Sequence, residues 1–439
     1  MKRRYLILVL LAFLLILTGC SIRTVEQMYC LPKRSEDHND LQAAIDKAMS
    51  GLSYCAPLAG ENQQTVQMAD LNGDGVVEYL VFTKANAERP LRVLVFQEQE
   101  DAYVHITTIE SNGTAFDQVE YVQMDERPGV EVVVGRQLSD KLLRSVSVYT
   151  LTSEGMEQLV TDNYVKFLTV KFGESEVSEL FVIHTGQTET DNAIAELYTM
   201  RGGVMERYNE VSLSFPADKL KRILVGQLHD IPTAVYVAGA VGDTALVTDV
   251  FSVVDGKFTN VAVSNKSGTG VQTMRNYYVY ADDIDNDGVV ELPFLIDMVP
   301  RDATRSSDRH NLIRWYAMTS GGEKVNKLYT YHNFVSGWYL ELGDHWAPRL
   351  TIESHSGNYE FYLWDSDLRG TQKLMTIYAL TGQNREEQSR EEGKIILQKT
   401  DSVIYTATLE EIAAEHGIDE ESITRSFHLI HQDWKTGEI

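Results

Sequence analysis

Between Thr65 and about Tyr331 the apolar residues fall in short runs, many alternating apolar with polar and rich in Val, Ile, Phe and Tyr. Gly, Asn and Asp separate them. That is the period-two signature of strands and turns rather than helices. Runs that follow acidic turns align as Glu78-Tyr79-Leu80-Val81-Phe82, Glu131-Val132-Val133-Val134, Glu179-Leu180-Phe181-Val182-Ile183, Thr233-Ala234-Val235-Tyr236-Val237 and Glu291-Leu292-Pro293-Phe294-Leu295. Their starts lie about fifty residues apart, so one unit recurs. Each copy supplies four strands in order; in the first they are 65–68, 79–82, 91–96 and 103–109, and in the second 119–123, 132–134, 144–150 and 156–160. Later copies continue with third strands at 194–198, 246–253 and 312–318 and fourth strands at 204–211, 258–263 and 325–331. The predicted fold is mainly β: a β-propeller of about five four-stranded blades, spanning 63–335, in which radial repetition disposes of free edges. Pro293 cannot donate to a ladder and is out of place in an inner strand.

Two flanking regions follow other patterns. Leu41, Ala44, Ile45 and Ala48 form a stripe of helical period, with Asn39 or Asp40 as the cap and Gly51 as the stop. Beyond Ser336 lie Trp338, Trp346, Trp364 and Trp434, with further strands up to Ala407. Thr408-Leu409-Glu410-Glu411 reads as a capping box opening a helix that Gly417 ends, and a second helix is expected over 420–434. Residues 336–439 are therefore expected to form a separate small α+β domain.

The amino terminus carries Lys2-Arg3-Arg4, an apolar run from Tyr5 to Leu17, and then Leu17-Thr18-Gly19-Cys20. The run is short for a membrane span and has the layout of a secretory signal. Its ending resembles a bacterial lipobox, which makes 1–19 a lipoprotein signal peptide and Cys20 the lipidated first residue of the mature chain. Acyl chains on Cys20 would hold the protein at a membrane surface, on the extracytoplasmic face. Residues 20–62 then comprise the lipidated Cys, a tether and the short helix. Cys30 and Cys55 remain, an even number in an oxidising compartment. A bridge between them would contribute on the order of 3 kcal/mol; two free thiols are the alternative.

Two turns are richer in acid than the rest. Asp70-Leu71-Asn72-Gly73-Asp74-Gly75-Val76-Val77-Glu78 and Asp283-Ile284-Asp285-Asn286-Asp287-Gly288-Val289-Val290-Glu291 both read D-x-[DN]-x-D-G-x-x-E. Oxygen donors at positions 1, 3, 5 and 9, with glycine at 6, have the spacing of a calcium loop. Position 12 is Val81 or Phe294 and a strand follows, so these are not EF-hands. Plain Asp-Gly turns with solvated acids are the alternative; against it, carboxylates so crowded repel one another unless a cation neutralises them. The second, third and fourth copies (125–131, 172–176 and 229–232) have lost most of the donors.

This loop followed by an apolar strand, repeated behind a lipobox, resembles the FG-GAP or VCBS repeat proteins, in particular their lipoprotein members from clostridial-type Firmicutes. The likeness covers roughly 28–335 and is strongest over 64–82. It implies a β-propeller with structural calcium and no catalysis. Carried over position by position, the ligands are Asp70, Asn72, Asp74, the Val76 carbonyl and Glu78, and Asp283, Asp285, Asp287, the Val289 carbonyl and Glu291. The Gly-Ala-Pro element of integrin-type blades is absent from this sequence, and Phe-Gly occurs at one place, Phe172-Gly173.

With Asp and Glu numbering 64 against 39 Lys and Arg, the formal charge is −25 over 439 residues. Such a surface disfavours nucleic acid, which requires clustered basic residues, and favours divalent cations. No nucleophile elbow, zincin helix or phosphate loop occurs in the sequence. His428 and His431 stand at i, i+3 on the expected last helix, a pair that reads as ordinary helix surface more readily than as a metal site. The expectation is a lipid-anchored, non-catalytic binding or scaffolding module at the cell surface, with an extracellular protein or glycan as ligand. The alternative is a propeller enzyme acting on cell-wall or extracellular polysaccharide.

Overall fold

The computed structural model describes residues 36–100, 102–139, 143–173, 176–263, 270–277, 279–302, 309–366 and 369–430. The expected signal peptide over 1–19, Cys20, Cys30, His431 and Trp434 lie outside these residues. Lipidation and any bridge to Cys55 therefore lie outside them too. No helix among the described residues is long and apolar enough to cross a membrane.

The fold is mainly β, in antiparallel sheets of four or five strands that have the content of propeller blades. Contacts divide the chain into two units. One comprises Gln64–Ala69 and Val76–Asn112 with the residues up to Ala56; the other comprises Pro57–Gln63, Asp70–Gly75 and the chain from Gly113 onward.

The first unit holds the first sheet, in which Leu52–Tyr54 and Val66–Ala69 both pair with Glu78–Ala85, followed by Leu91–Gln99 and Ala102–Ser111. The helix Glu36–Ala48 begins a turn before the expected caps, leaving Asn39 and Asp40 inside it. Its Leu41 and Ile45 are buried against Val81, Leu94 and Phe96. The apolar stripe sets the buried face; Gly51, at φ 74°, turns the chain after the helix.

In the second unit, consecutive strands build meanders: Ala115–Val122 to Gly155–Tyr164, Lys166–Val170 to Val204–Pro216, and Leu220–Gly226 to Lys257–Asn260. A fifth sheet runs Glu291–Asp297, Asn311–Met318, Lys324–Asn333 and Trp338–Leu342, with Phe427–Leu429 added at its edge. Adjacent sheets share cores. Val133, Val146 and Val148 meet Leu180 and Val182, while Phe181 and Ile183 meet Val235, Phe251 and Phe258. Tyr236 and Val250 meet Leu292 and Tyr316 in the next layer. The strand Glu179–His184 thus turns alternate residues toward opposite neighbours. Burial on both faces is why such strands read as continuous apolar runs.

Three features differ from the sequence-based expectation. The chain does not divide at 336, because Trp338–Leu342 is the fourth strand of the fifth sheet. After it comes a sixth sheet of Leu350–His355, Asn358–Trp364, Thr371–Thr381, Val403–Leu409 and Ile395–Lys399. Phe361, Leu374 and Ile377 share a core with Leu312, Tyr331, Trp338 and Leu340, so contiguous packing joins what composition separated. The expected helix from Thr408 is instead the end of a strand and a 3-10 helix, Glu411–His416, closed by Gly417 at φ 73°. The last helix is Glu420–Ser426, capped by Asp419 and Ser422; Phe427–Leu429 leaves it to pair with Trp338, Tyr339 and Leu340. His428 therefore lies on a strand, 2.8 Å from Glu341, and not on a helix beside His431. Pro293 is in register opposite Trp315, but its strand lies at the end of the fifth sheet, where a missing donor is tolerated.

Candidate metal loops

In the fifth sheet's loop the carboxylates first organise their own backbone. Asp283 accepts from the N–H of Asp287 at 2.9 Å and of Gly288 at 2.9 Å, and Asp287 accepts from Val289 N–H at 2.9 Å. Asn286 at φ 58° and Gly288 at φ 88° both take the left-handed region. Main-chain bonds from Gln227 N to Gly288 O and from Val290 N to Gln227 O fasten the loop to the fourth sheet. Carboxylate oxygens of Asp283, Asp285 and Glu291 then lie within 4.8 Å of one another.

Glu291 is fully buried. One of its oxygens accepts from Ile284 N–H at 3.2 Å, whereas Oε1 is sealed from solvent without a hydrogen-bond partner. Burial, then the charge of Asp285, pushes its pKa up to about 8. Asp285 is also raised, by burial and by Asp287. Lys327 forms an ion pair with Asp287 and stands 3.8 Å from Glu291 Oε1. Its hydrogen bond holds the Asp287 carboxyl below the usual range. Burial pulls Lys327 down, but the three acids outweigh it and its pKa rises.

In the first loop, Asp70 accepts from Gly73 N–H at 2.7 Å and Gly75 N–H at 3.0 Å, and the Asn72 amide donates to Asp74 at 3.0 Å. Asp70 O accepts from Val130 N at 3.2 Å. Here glycine is required: a Cβ on Gly73, at φ 72°, would stand 2.3 Å from Pro128 Cβ. Within the other unit, Glu78 is buried at the head of its strand and accepts from Gln97 at 3.2 Å. Val76 and Val77 are exposed.

A further mark of the repeat went unread in the sequence. The residue seven before each strand-leading glutamate is apolar and buried: Leu71, Met124, Phe172 and Ile284. In the second, third and fifth loops its N–H donates to the glutamate seven residues on, from Met124 to Glu131, Phe172 to Glu179 and Ile284 to Glu291. Where the acids are missing, other groups stand in. Asp125 is neutralised by Arg127 at 2.6 Å, and Glu131 accepts from the Thr150 hydroxyl at 3.2 Å.

Elsewhere, a cavity of about 350 Å³ is lined by Leu340, Trp346, Met375, His416, Ile418 and Ile423, with Glu341 as its one carboxylate. Trp315, Trp338 and Trp346 are buried core residues.

No known family model matches the chain, and no curated protein matches it. Solved structures similar to it include a Lactobacillus plantarum protein, at 10% identity and TM-score 0.26 over 73% of this chain and 86% of that one. Two rhamnogalacturonan lyases, YesX and YesW, share 12% identity, with TM-scores of 0.28 and 0.29 over 82% and 73% of this chain and 72% of each of theirs. Scores this low carry no argument about activity.

Proposed function

We propose that this protein is a calcium-stabilised, non-catalytic binding or scaffolding module of β-propeller type, held on the extracytoplasmic face of a membrane by lipid on Cys20. The carrying observation is the fully buried Glu291, whose Oε1 has no hydrogen bond and whose carboxylate lies with those of Asp283 and Asp285 in a group of oxygens within 4.8 Å of one another. An all-oxygen set of this kind suits a hard cation. Bound calcium would supply positive charge where the neutral form of Glu291 is otherwise favoured. Asp283, Asp285, Asp287, Glu291 and the Val289 carbonyl would hold it, and Lys327 would have to release Asp287. In the first loop Asp70, Asn72 and Asp74 would be the corresponding donors.

A binding role rather than catalysis is supported by how the acids are used. Asp70 and Asp283 each spend two acceptor positions on N–H groups of their own loops, which fixes backbone rather than poising a proton donor. The test is thermal melting of the purified chain with millimolar calcium and with EGTA. At calcium a hundredfold above Kd the gain is about 2.7 kcal/mol; an unchanged midpoint rejects the calcium reading. Incubation with cell-wall and extracellular polysaccharides is expected to give retention without cleavage, and release of new chain ends would reject the non-catalytic reading. Labelled fatty acid is expected on the wild type and not on Cys20→Ser.

A further inference from the structure

A second cluster, unrelated to the acidic loops, lies between the second and third sheets. His184 ends the strand Glu179–His184 and pairs with Ile194 on Asn192–Arg201. Glu196 and Tyr198, two and four residues beyond Ile194, share one face of that strand. Asp162, from Gly155–Tyr164 of the preceding sheet, completes the group. His184 Nε2 is 3.3 Å from Glu196 Oε2 and 3.6 Å from Asp162 Oδ2. The three ligand atoms lie within 4.8 Å of one another.

Three facts set this cluster apart from an ordinary surface ion pair. The Nε2 atom of His184 is sealed from solvent and has no hydrogen-bond partner. The Tyr198 hydroxyl contacts both Asp162 Oδ2 and Glu196 Oε2, the latter at 2.8 Å, yet has a single proton to give. Arg207 binds the outer oxygen, Glu196 Oε1, at 2.8 Å and is itself braced by Glu210 at 3.2 Å. Glu196 Oε2 is thereby turned toward the imidazole, as an outer partner orients a metal ligand.

We infer that His184 Nε2, Asp162 Oδ2 and Glu196 Oε2 form a binding site for a transition-metal dication of the zinc class, with Tyr198 and Arg207 holding the two carboxylates in place. Bonds of about 2.0–2.1 Å in a tetrahedron put neighbouring ligands about 3.3–3.4 Å apart. The observed 3.3 and 3.6 Å need little adjustment. A nitrogen donor among carboxylates selects zinc, cobalt or iron over calcium, which prefers oxygen alone. Three protein ligands leave a fourth position for water.

Cobalt(II) serves as the probe, titrated into the purified full chain with millimolar calcium present to occupy the acidic loops. The expected result is one equivalent bound with the visible absorption of a four-coordinate site. His184→Gln should weaken this equivalent by at least about tenfold, and Asp283→Asn should leave it intact. X-ray absorption of the zinc-loaded wild type needs no variant, and should show one imidazole among oxygen donors. Failure to bind cobalt or zinc, unchanged binding in His184→Gln, or sulfur in the zinc shell overturns the assignment.

Discussion

In the second sheet, both carboxylate oxygens of Glu131 are satisfied, one by Met124 N–H and the other by the Thr150 hydroxyl. In the fifth sheet, Glu291 receives the equivalent bond from Ile284, but its cross-strand partner is Ala317, which has nothing to donate. The first sheet is intermediate, with Gln97 donating to Glu78. One frame therefore recurs: a buried apolar residue, a main-chain N–H and a buried glutamate. The frame does not depend on the acidic residues between them. What varies is the group that answers the glutamate's second oxygen: a neutral donor, the Thr150 hydroxyl, in the second sheet, and in the fifth, under the function proposed above, a cation.

The strongest test of the shared frame removes its apolar anchor. Met124→Ala and Ile284→Ala should each cost about 2–5 kcal/mol in denaturant unfolding, because both side chains are buried at matching positions. The Ile284 cost should persist in EGTA; a loss seen only with calcium would mean that the fifth loop's frame depends on the ion.

A smaller effect, about 1 kcal/mol, addresses the point of difference. Ala317→Thr gives Glu291 the hydroxyl that Glu131 already has, so the variant should be more stable in EGTA and show a smaller calcium shift on melting. Thr150→Ala should destabilise the second sheet by about 1–3 kcal/mol, the range for a buried acceptor left without its donor. If Ala317→Thr keeps the full calcium shift, the second oxygen of Glu291 is not what separates the loops.

The smallest effect belongs to the third sheet. Burial lifts Glu179 to about 7, opposed by the Phe172 N–H and by Arg201. The fold therefore favours its neutral form. That contribution is present in full below the ordinary glutamate value of 4.5 and is lost as pH rises toward about 7. Melting in EGTA across this range should fall with pH, and Glu179→Gln should flatten the slope. Partial exposure keeps the effect modest. A slope unchanged in the variant would assign the pH dependence to other acids.

Much of this architecture was legible along the chain. Short apolar runs between turn residues located most strands of the first four sheets, because a strand packed on both faces is apolar along its length. The D-x-[DN]-x-D-G-x-x-E spacing marked both acidic loops, since the pattern lies within nine consecutive residues. The sixth sheet was misplaced because the tryptophans and the two expected helices suggested a separate domain, whereas membership of a sheet depends on which strand lies alongside. The helix expected from Thr408 failed for the same reason: Thr376 and Thr408 pair across a ladder, and that outweighs a local capping pattern.

By itself, then, the sequence determined the β class, the repeat of about fifty residues and the two acidic loops, all properties of neighbouring residues. Only the tertiary structure decided that Ala317 rather than a donor faces Glu291, that Trp338–Leu342 joins the fifth sheet, and that Asp162, His184 and Glu196 converge. Each of these is a contact between separate strands, and register, which no single strand encodes, chooses the partner.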